Sequence, residues 1–222
     1  MISQILFANT YIKKRFWKKE DGTNYAIRNV VFMGMGEPLL NYENIRKSLE
    51  IMLAQDRLSL GRRHITISTC GIIPWIEKLI EDKVDVKLAI SLHAPNQELR
   101  NQIMPIAKAY PLEELMKTID RYVKATDNRI FYEYIMIHGV TDKPELAHQL
   151  VKLLKGRLAH LNLIPYNENP AIDLKESKKA DIQKFKQILE EGGVTVTVRD
   201  SMGREAKGAC GQLGYEKVKD QN

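Results

Sequence analysis

Four short segments of this 222-residue chain end in residues able to hold a small polar molecule. They are Gly34-Met35-Gly36-Glu37-Pro38, Ser68-Thr69-Cys70-Gly71, Ser91-Leu92-His93-Ala94 and Pro165-Tyr166-Asn167. A carboxylate (Glu37), two hydroxyls (Ser68, Ser91), an imidazole (His93) and an amide (Asn167) supply both donors and acceptors. That set suits a ligand carrying ammonium, carboxylate and hydroxyl groups. Pro38 removes a backbone donor and stiffens the chain beside the Glu37 carboxylate. Each residue also has a structural role open to it. Gly34-x-Gly36 fits a tight turn, and Ser68 and Ser91 fit the capping of backbone ends. Asn167 fits a side-chain turn, and a lone histidine such as His93 commonly serves as a hydrogen-bonded structural group. His64, His138, His148 and His160 show no zinc-ligand spacing, and no metal site is expected among them. The chain has two cysteines, Cys70 and Cys210, the second inside Gly208-Ala209-Cys210-Gly211-Gln212-Leu213.

Each polar segment follows an apolar run that reads as a strand, and amphipathic stretches separate the runs. That alternation predicts a parallel sheet with crossover helices. Strands are expected at 30–33, 65–67, 86–90, 130–137, 161–164 and 194–198. A helix is expected over 2–16, with Ile2, Ile5, Leu6, Ile12 and Phe16 on one face and Lys13-Lys14-Arg15 near its C-terminal end. Further helices are expected from an Asn41 N-cap with Glu43 in the first turn, over 73–81, 97–103 and 112–124, and over 177–191 with Gly192-Gly193 as the stop. Asp142 and Glu145 resemble a capping box ahead of Leu146, Leu150, Val151 and Leu154. In parallel α/β architectures the loops after the strands converge on one ligand site, so Glu37, Ser68, Ser91, His93 and Asn167 are expected to face one another.

Hydrophobic residues make up 44% of the chain, ordinary for a domain with a real core. Two distant cysteines do not form a disulfide framework, and no apolar run approaches the roughly 20 residues of a membrane span. Met1-Ile2-Ser3-Gln4-Ile5 lacks signal-peptide features, so a cytoplasmic setting without membrane attachment is expected. The net charge of +6 is compatible with a polyanionic partner. Lys13-Lys14-Arg15 with Lys18-Lys19, Arg62-Arg63-His64, and Lys175 with Lys178-Lys179 are candidate phosphate contacts, and equally candidates for solvated surface.

Taken in order, five runs resemble the radical S-adenosylmethionine (SAM) adenine-C2 RNA methyltransferases of the RlmN/Cfr type. Residues 29–39, ending in Gly36-Glu37-Pro38-Leu39, are similar to that family's SAM-binding strand and loop. Ser68-Thr69-Cys70-Gly71 and Ala89-Ile90-Ser91-Leu92-His93-Ala94-Pro95-Asn96 are similar to the next two loops. Asn162-Leu163-Ile164-Pro165-Tyr166-Asn167 and Ala209-Cys210-Gly211-Gln212-Leu213 complete the order. The resemblance implies an α/β fold, a partial parallel (β/α)6 radical-SAM-type barrel over 1–215, followed by a polar tail over 216–222. It implies that Gly36 and Glu37 hold the methionine part of SAM, with Glu37 accepting from its ammonium. Ser68, Ser91, Leu92, His93 and Asn167 would complete that pocket. It further implies that Cys210 takes a methyl group from one SAM. A radical generated from a second SAM at a 4Fe-4S cluster would then convert that methyl to a carbon radical, which adds to C2 of adenine in 23S rRNA or tRNA. Such a route suits an electron-poor aromatic carbon that is no nucleophile.

The family binds its cluster through a Cys-x3-Cys-x2-Cys loop ahead of the helix matching residues 2–16, and neither cysteine here has neighbours at that spacing. The expectation is therefore a barrel lacking its first strand and cluster loop, inactive alone. The complete enzyme would use SAM, the cluster, a reducing electron donor and RNA, with a complementing N-terminal chain as a further partner. The run Gly203-Arg204-Glu205-Ala206-Lys207-Gly208 departs from the family's acidic-apolar approach to the cysteine. Two other readings are a non-catalytic SAM- or RNA-binding remnant or half of a split methyltransferase, and an unrelated α/β-barrel enzyme acting on a phosphorylated small molecule.

Overall fold

The computed structural model describes residues 1–16, 27–34, 36–168 and 172–199. The expectations for Cys210, Lys18-Lys19 and the 216–222 tail lie outside those residues. Six parallel strands pair in the order in which they occur: β1 (Val30–Phe32), β2 (Ile65–Thr69), β3 (Lys87–Ser91), β4 (Ile130–Met136), β5 (Ala159–Pro165) and β6 (Val196–Val198). Consecutive parallel neighbours joined by right-handed crossovers put every connecting helix on one side of the sheet, the curvature of an opened barrel. The helices are α1 (Ile2–Phe16), α2 (Tyr42–Leu53), α3 (Ile73–Glu81), α4 (Gln97–Ile103), α5 (Leu112–Thr126), α6 (Pro144–Leu154) and α7 (Lys179–Glu191).

Period-two alternation sorts the strand residues. Ile65, Ile67, Leu88, Ile90, Tyr132, Tyr134, Met136, Leu161 and Leu163 point to the helices and are buried with Ile76, Leu79, Leu115, Ile119, Leu150 and Phe185. The opposite, inner face carries Ser68, Ser91, Glu133, Asn162 and Thr197. The register sets Ser91 beside Glu133, Glu133 beside Asn162 and Asn162 beside Thr197. One polar row therefore crosses four strands.

Several helix ends differ from their sequence signals. Asn41 is the N-cap residue of α2, but its side chain makes no cap bond and its Oδ1 accepts from Asn44 Nδ2 at 2.7 Å. Pro38–Asn41 already forms a 3-10 turn ahead of it. Asp142 does not cap α6. Its Oδ1 accepts the Gly139 N–H at 2.8 Å to close the loop after β4, so the helix begins at Pro144 with Lys143 as N-cap. By contrast Asn96 caps α4 by accepting from Leu99 N at 3.0 Å. Helix α7 starts at Lys179, leaving Ser177 buried ahead of it.

Gly71, at the turn from β2 into α3, has φ +97, and a Cβ there would lie 2.7 Å from Leu115 Cδ2 in the core. Left-handed strain and overpacking act together at this site. Gly71→Ala is expected to cost about 2–4 kcal/mol, read as a lowered urea midpoint at unchanged m-value.

Candidate functional site

The loops after β1 and β2 meet through Glu37. Its Oε1 accepts the Leu39 N–H at 3.0 Å, capping the 3-10 turn, and its Oε2 accepts the Cys70 N–H at 2.7 Å. The carboxylate is thus part of the scaffold. Each oxygen keeps a second lone pair for a ligand. Gly36 has φ +90 with open space where a Cβ would be, so bare backbone faces outward beside this carboxylate.

The loop after β3 is fixed by two devices. The first is β4, whose Glu133 carbonyl accepts from both Leu92 N (3.0 Å) and His93 N (3.1 Å). The second is Arg100, fully buried on α4. Its guanidinium donates to the carbonyls of Cys70 (2.7 Å), Leu92 (3.3 Å), Ser91 (3.4 Å) and Tyr110 (3.4 Å). One rigid fork thereby ties together the loops after β2 and β3 and the start of α5. Sequence reading missed Arg100, which looks like one charge among others on a short polar helix.

His93 adopts φ +56, uncommon for a side chain of this size. Its Nδ1 accepts the Ile135 N–H at 3.2 Å, which leaves the proton on Nε2. Burial, and then the nearby Arg100 charge, push its pKa down to about 4. At neutral pH His93 is therefore an uncharged donor through Nε2–H rather than a proton carrier. Leu92 is fully buried, so its side chain serves the core and its main chain serves the loop. Ser68 sits half-buried on the inner face of β2 and Ser91 half-buried at the end of β3. Asn167 follows β5 at the same end of the sheet, with a buried Oδ1 that has no hydrogen-bond partner.

Cys70 is half-buried and free, and burial together with the adjacent Glu37 pushes its thiol up to about 12. A thiol so resistant to ionisation is a poor metal ligand. The fold does gather His138, Asp142 and Asp181, whose potential ligand atoms lie within 4.8 Å of one another, a proximity that sequence spacing hid. Asp142 is already committed there to Gly139 N–H and to His138 Nδ1 at 3.3 Å. Of the basic clusters, Arg62 pairs with Asp85 and Lys175 lies 3.8 Å from Glu168. Arg63, Lys178 and Lys179 are exposed. Among the described residues no helix is long and apolar enough to cross a membrane.

Residues 19–151 match the radical SAM superfamily. The chain belongs to that family. Within it, the sequence matches the RlmN type. It is 50% identical over 194 residues to the probable dual-specificity RNA methyltransferase RlmN of Thermoanaerobacter sp. (strain X514), covering 87% of this chain and 57% of the relative. It is 45% identical over 221 residues to the corresponding Clostridium botulinum (strain Alaska E43 / Type E3) protein, covering 100% of this chain and 60% of that one. A crystal structure of a radical SAM methyltransferase from Sphaerobacter thermophilus superposes with a TM-score of 0.87 at 39% identity, over 96% of this chain and 60% of that chain. The chain thus spans 57% and 60% of the length of these two curated relatives. The match confirms the expected fold class and sets aside the reading as an unrelated α/β barrel.

Proposed function

We propose that this chain is the SAM-binding barrel of an adenine-C2 RNA methyltransferase acting on 23S rRNA and tRNA, with Cys210 as its methyl-carrying residue. The observation that carries the reading is the junction of Glu37, Cys70, Arg100, Ser91 and His93, in which the three loops after β1, β2 and β3 are bonded into one unit, with Arg100 of α4 and the backbone of β4 holding them. Identity of 50% to an RlmN-named relative supports the substrate class.

The residues present fit SAM. Glu37 retains lone pairs for an ammonium, the orphan Oδ1 of Asn167 requires a donor, and His93 Nε2–H offers one to a carboxylate or hydroxyl. Gly36 presents backbone, and Ser68 and Ser91 add hydroxyls on the inner face. Bound there, SAM supplies the methyl group and the radical chemistry that an unreactive aromatic carbon demands. A 4Fe-4S cluster does not fit this chain's own residues, because it needs several thiolates and Cys70 resists ionisation. We assign the cluster ligands to polypeptide outside these 222 residues, in the same protein or in a partner, and the chain alone is inactive. The edge strand β1 and the residue that follows it, with Val31 48% and Met33 44% exposed, leave an apolar margin for such polypeptide to cover.

Expression in a host lacking adenine-C2 methylation tests this, with the nucleosides of ribosomal and transfer RNA resolved by mass spectrometry. The 222-residue chain is expected to give no 2-methyladenosine. Joined to the N-terminal portion of the Thermoanaerobacter relative, it is expected to give the modified base, and Cys210→Ala in that protein is expected to return the signal to background. Persistence of 2-methyladenosine in the Cys210→Ala protein would overturn the role of that residue. Absence from the joined protein would overturn the assigned reaction.

A further inference from the structure

Glu133 is the one acidic residue of β4, 6% exposed on the inner face of the sheet, and its Oε2 is buried without any hydrogen-bond partner. Its other oxygen ends a directed chain. Asn162 Nδ2 donates to Glu133 Oε1 at 3.0 Å, and Thr197 Oγ1 donates to Asn162 Oδ1 at 2.6 Å. With its hydroxyl proton spent on Asn162, Thr197 can only accept from His160 Nε2 at 3.0 Å. Every donor from His160 to Asn162 therefore points toward Glu133. Such a chain polarises its members in one sense and leaves Oε2 as its terminal acceptor. Burial pushes the pKa of this carboxyl up, opposed by the bond from Asn162 and, through space, by Arg199 on the chain leaving β6, from which Oε2 takes no hydrogen bond.

An unpaired buried carboxylate oxygen is costly and calls for a partner. The partner must be a donor. Position narrows it further: Glu133 is the lateral neighbour of Ser91 in the strand register, and its own carbonyl anchors Leu92 and His93. The free oxygen thus lies one strand over from the loop that bears the proposed SAM pocket, on the side of β6.

We propose that Glu133 is a recognition residue for an adenosine, accepting from its exocyclic amine or a ribose hydroxyl, with Asn162 and Thr197 holding the carboxylate in place. This rests on the SAM and RNA reading given above. SAM and the target RNA both carry adenosine, and titration separates them.

The wild-type chain and Glu133→Gln are titrated calorimetrically with SAM, and then with an adenine-bearing RNA hairpin at saturating SAM. Glutamine keeps the volume and the bond from Asn162 but turns a donor toward the ligand. Affinity is expected to fall about 10–100-fold in one arm, as for loss of a charged hydrogen bond. A fall in the SAM arm makes the cofactor the source, and a fall confined to the RNA arm makes it the substrate. Equal affinities in both arms overturn the proposal. Wild-type protein that binds neither ligand overturns the underlying reading, and this proposal with it. Should Glu133→Gln not fold, Thr197→Val decides, since Thr197 is exposed and its loss only slackens the chain. A severalfold weakening in either arm sustains the proposal, and unchanged binding in both overturns it.

Discussion

Arg100→Met lowers the free energy of unfolding by about 3–5 kcal/mol, a large share of the 5–15 kcal/mol typical of a domain. Methionine fills much of the volume and removes a buried charge, which on its own would be favourable. The loss comes from the oxygens left behind. The carbonyls of Cys70, Ser91, Leu92 and Tyr110 all face this guanidinium, and a buried acceptor stripped of its donor costs about 1–3 kcal/mol. The 2.7 Å bond to Cys70 dominates, because the other three are 3.3 Å or longer. Lysine does not rescue, since a compact ammonium cannot span four acceptors spread over three segments. His93 supplies a second readout. The Arg100 charge is the lesser of the two causes lowering its pKa, so the Met variant raises it from about 4 while burial still holds it below 6.5. Urea unfolding and histidine NMR titration measure both effects. A loss under about 1 kcal/mol would show that water satisfies the loops and that Arg100 is not their tie.

Arg100 also shows where sequence reading reaches its limit. In Gln97-Glu98-Leu99-Arg100 it looks like the solvated side of a short helix, and only the meeting of the loops after β2 and β3 over α4 turns it inward. The strands were legible because β-branched and apolar runs recur between helical stretches, and α3 and α4 fall on the expected residues. The cap that Asn96 makes on α4 was not read from the sequence, and the box that was read at Asp142 does not form. A carboxylate there had two backbone suitors, and the loop amide of Gly139 won over the helix end. Glu133 left a signal that could have been used: one charge in Ile130-Phe131-Tyr132-Glu133-Tyr134-Ile135-Met136, a strand otherwise free of charge. A charge kept in such a run must face something that rewards it. For the site itself, Glu37, Ser91 and His93 were identifiable as residues, but their roles were not. Which atoms of Glu37 are already spent on backbone, and which nitrogen of His93 keeps its proton, follow from hydrogen bonds between strands far apart in sequence.

Glu37→Gln is expected to weaken SAM binding about 10–100-fold, and Glu37→Ala by at least as much. A conservative amide is damaging here for a geometric reason. Two backbone N–H groups, of Leu39 and Cys70, each point at one carboxylate oxygen. Glutamine offers a single oxygen, so its NH2 must face one of these donors, and the unpaired N–H pushes the loop away. If it gives up Cys70, the bridge between the loops after β1 and β2 opens, and Arg100 holds the second loop alone. If it gives up Leu39, the 3-10 turn at Pro38–Asn41 loses its cap and Gly36 loses its fixed orientation. In either case the negative charge that would meet the ammonium of SAM is gone as well. Calorimetric titration with SAM, alongside a thermal melt, separates the two contributions. A lower melting temperature with unchanged affinity would make Glu37 a structural clamp alone. Weakened affinity with little change in the melt would mean that the ligand's ammonium, rather than the backbone, is what this carboxylate is kept for.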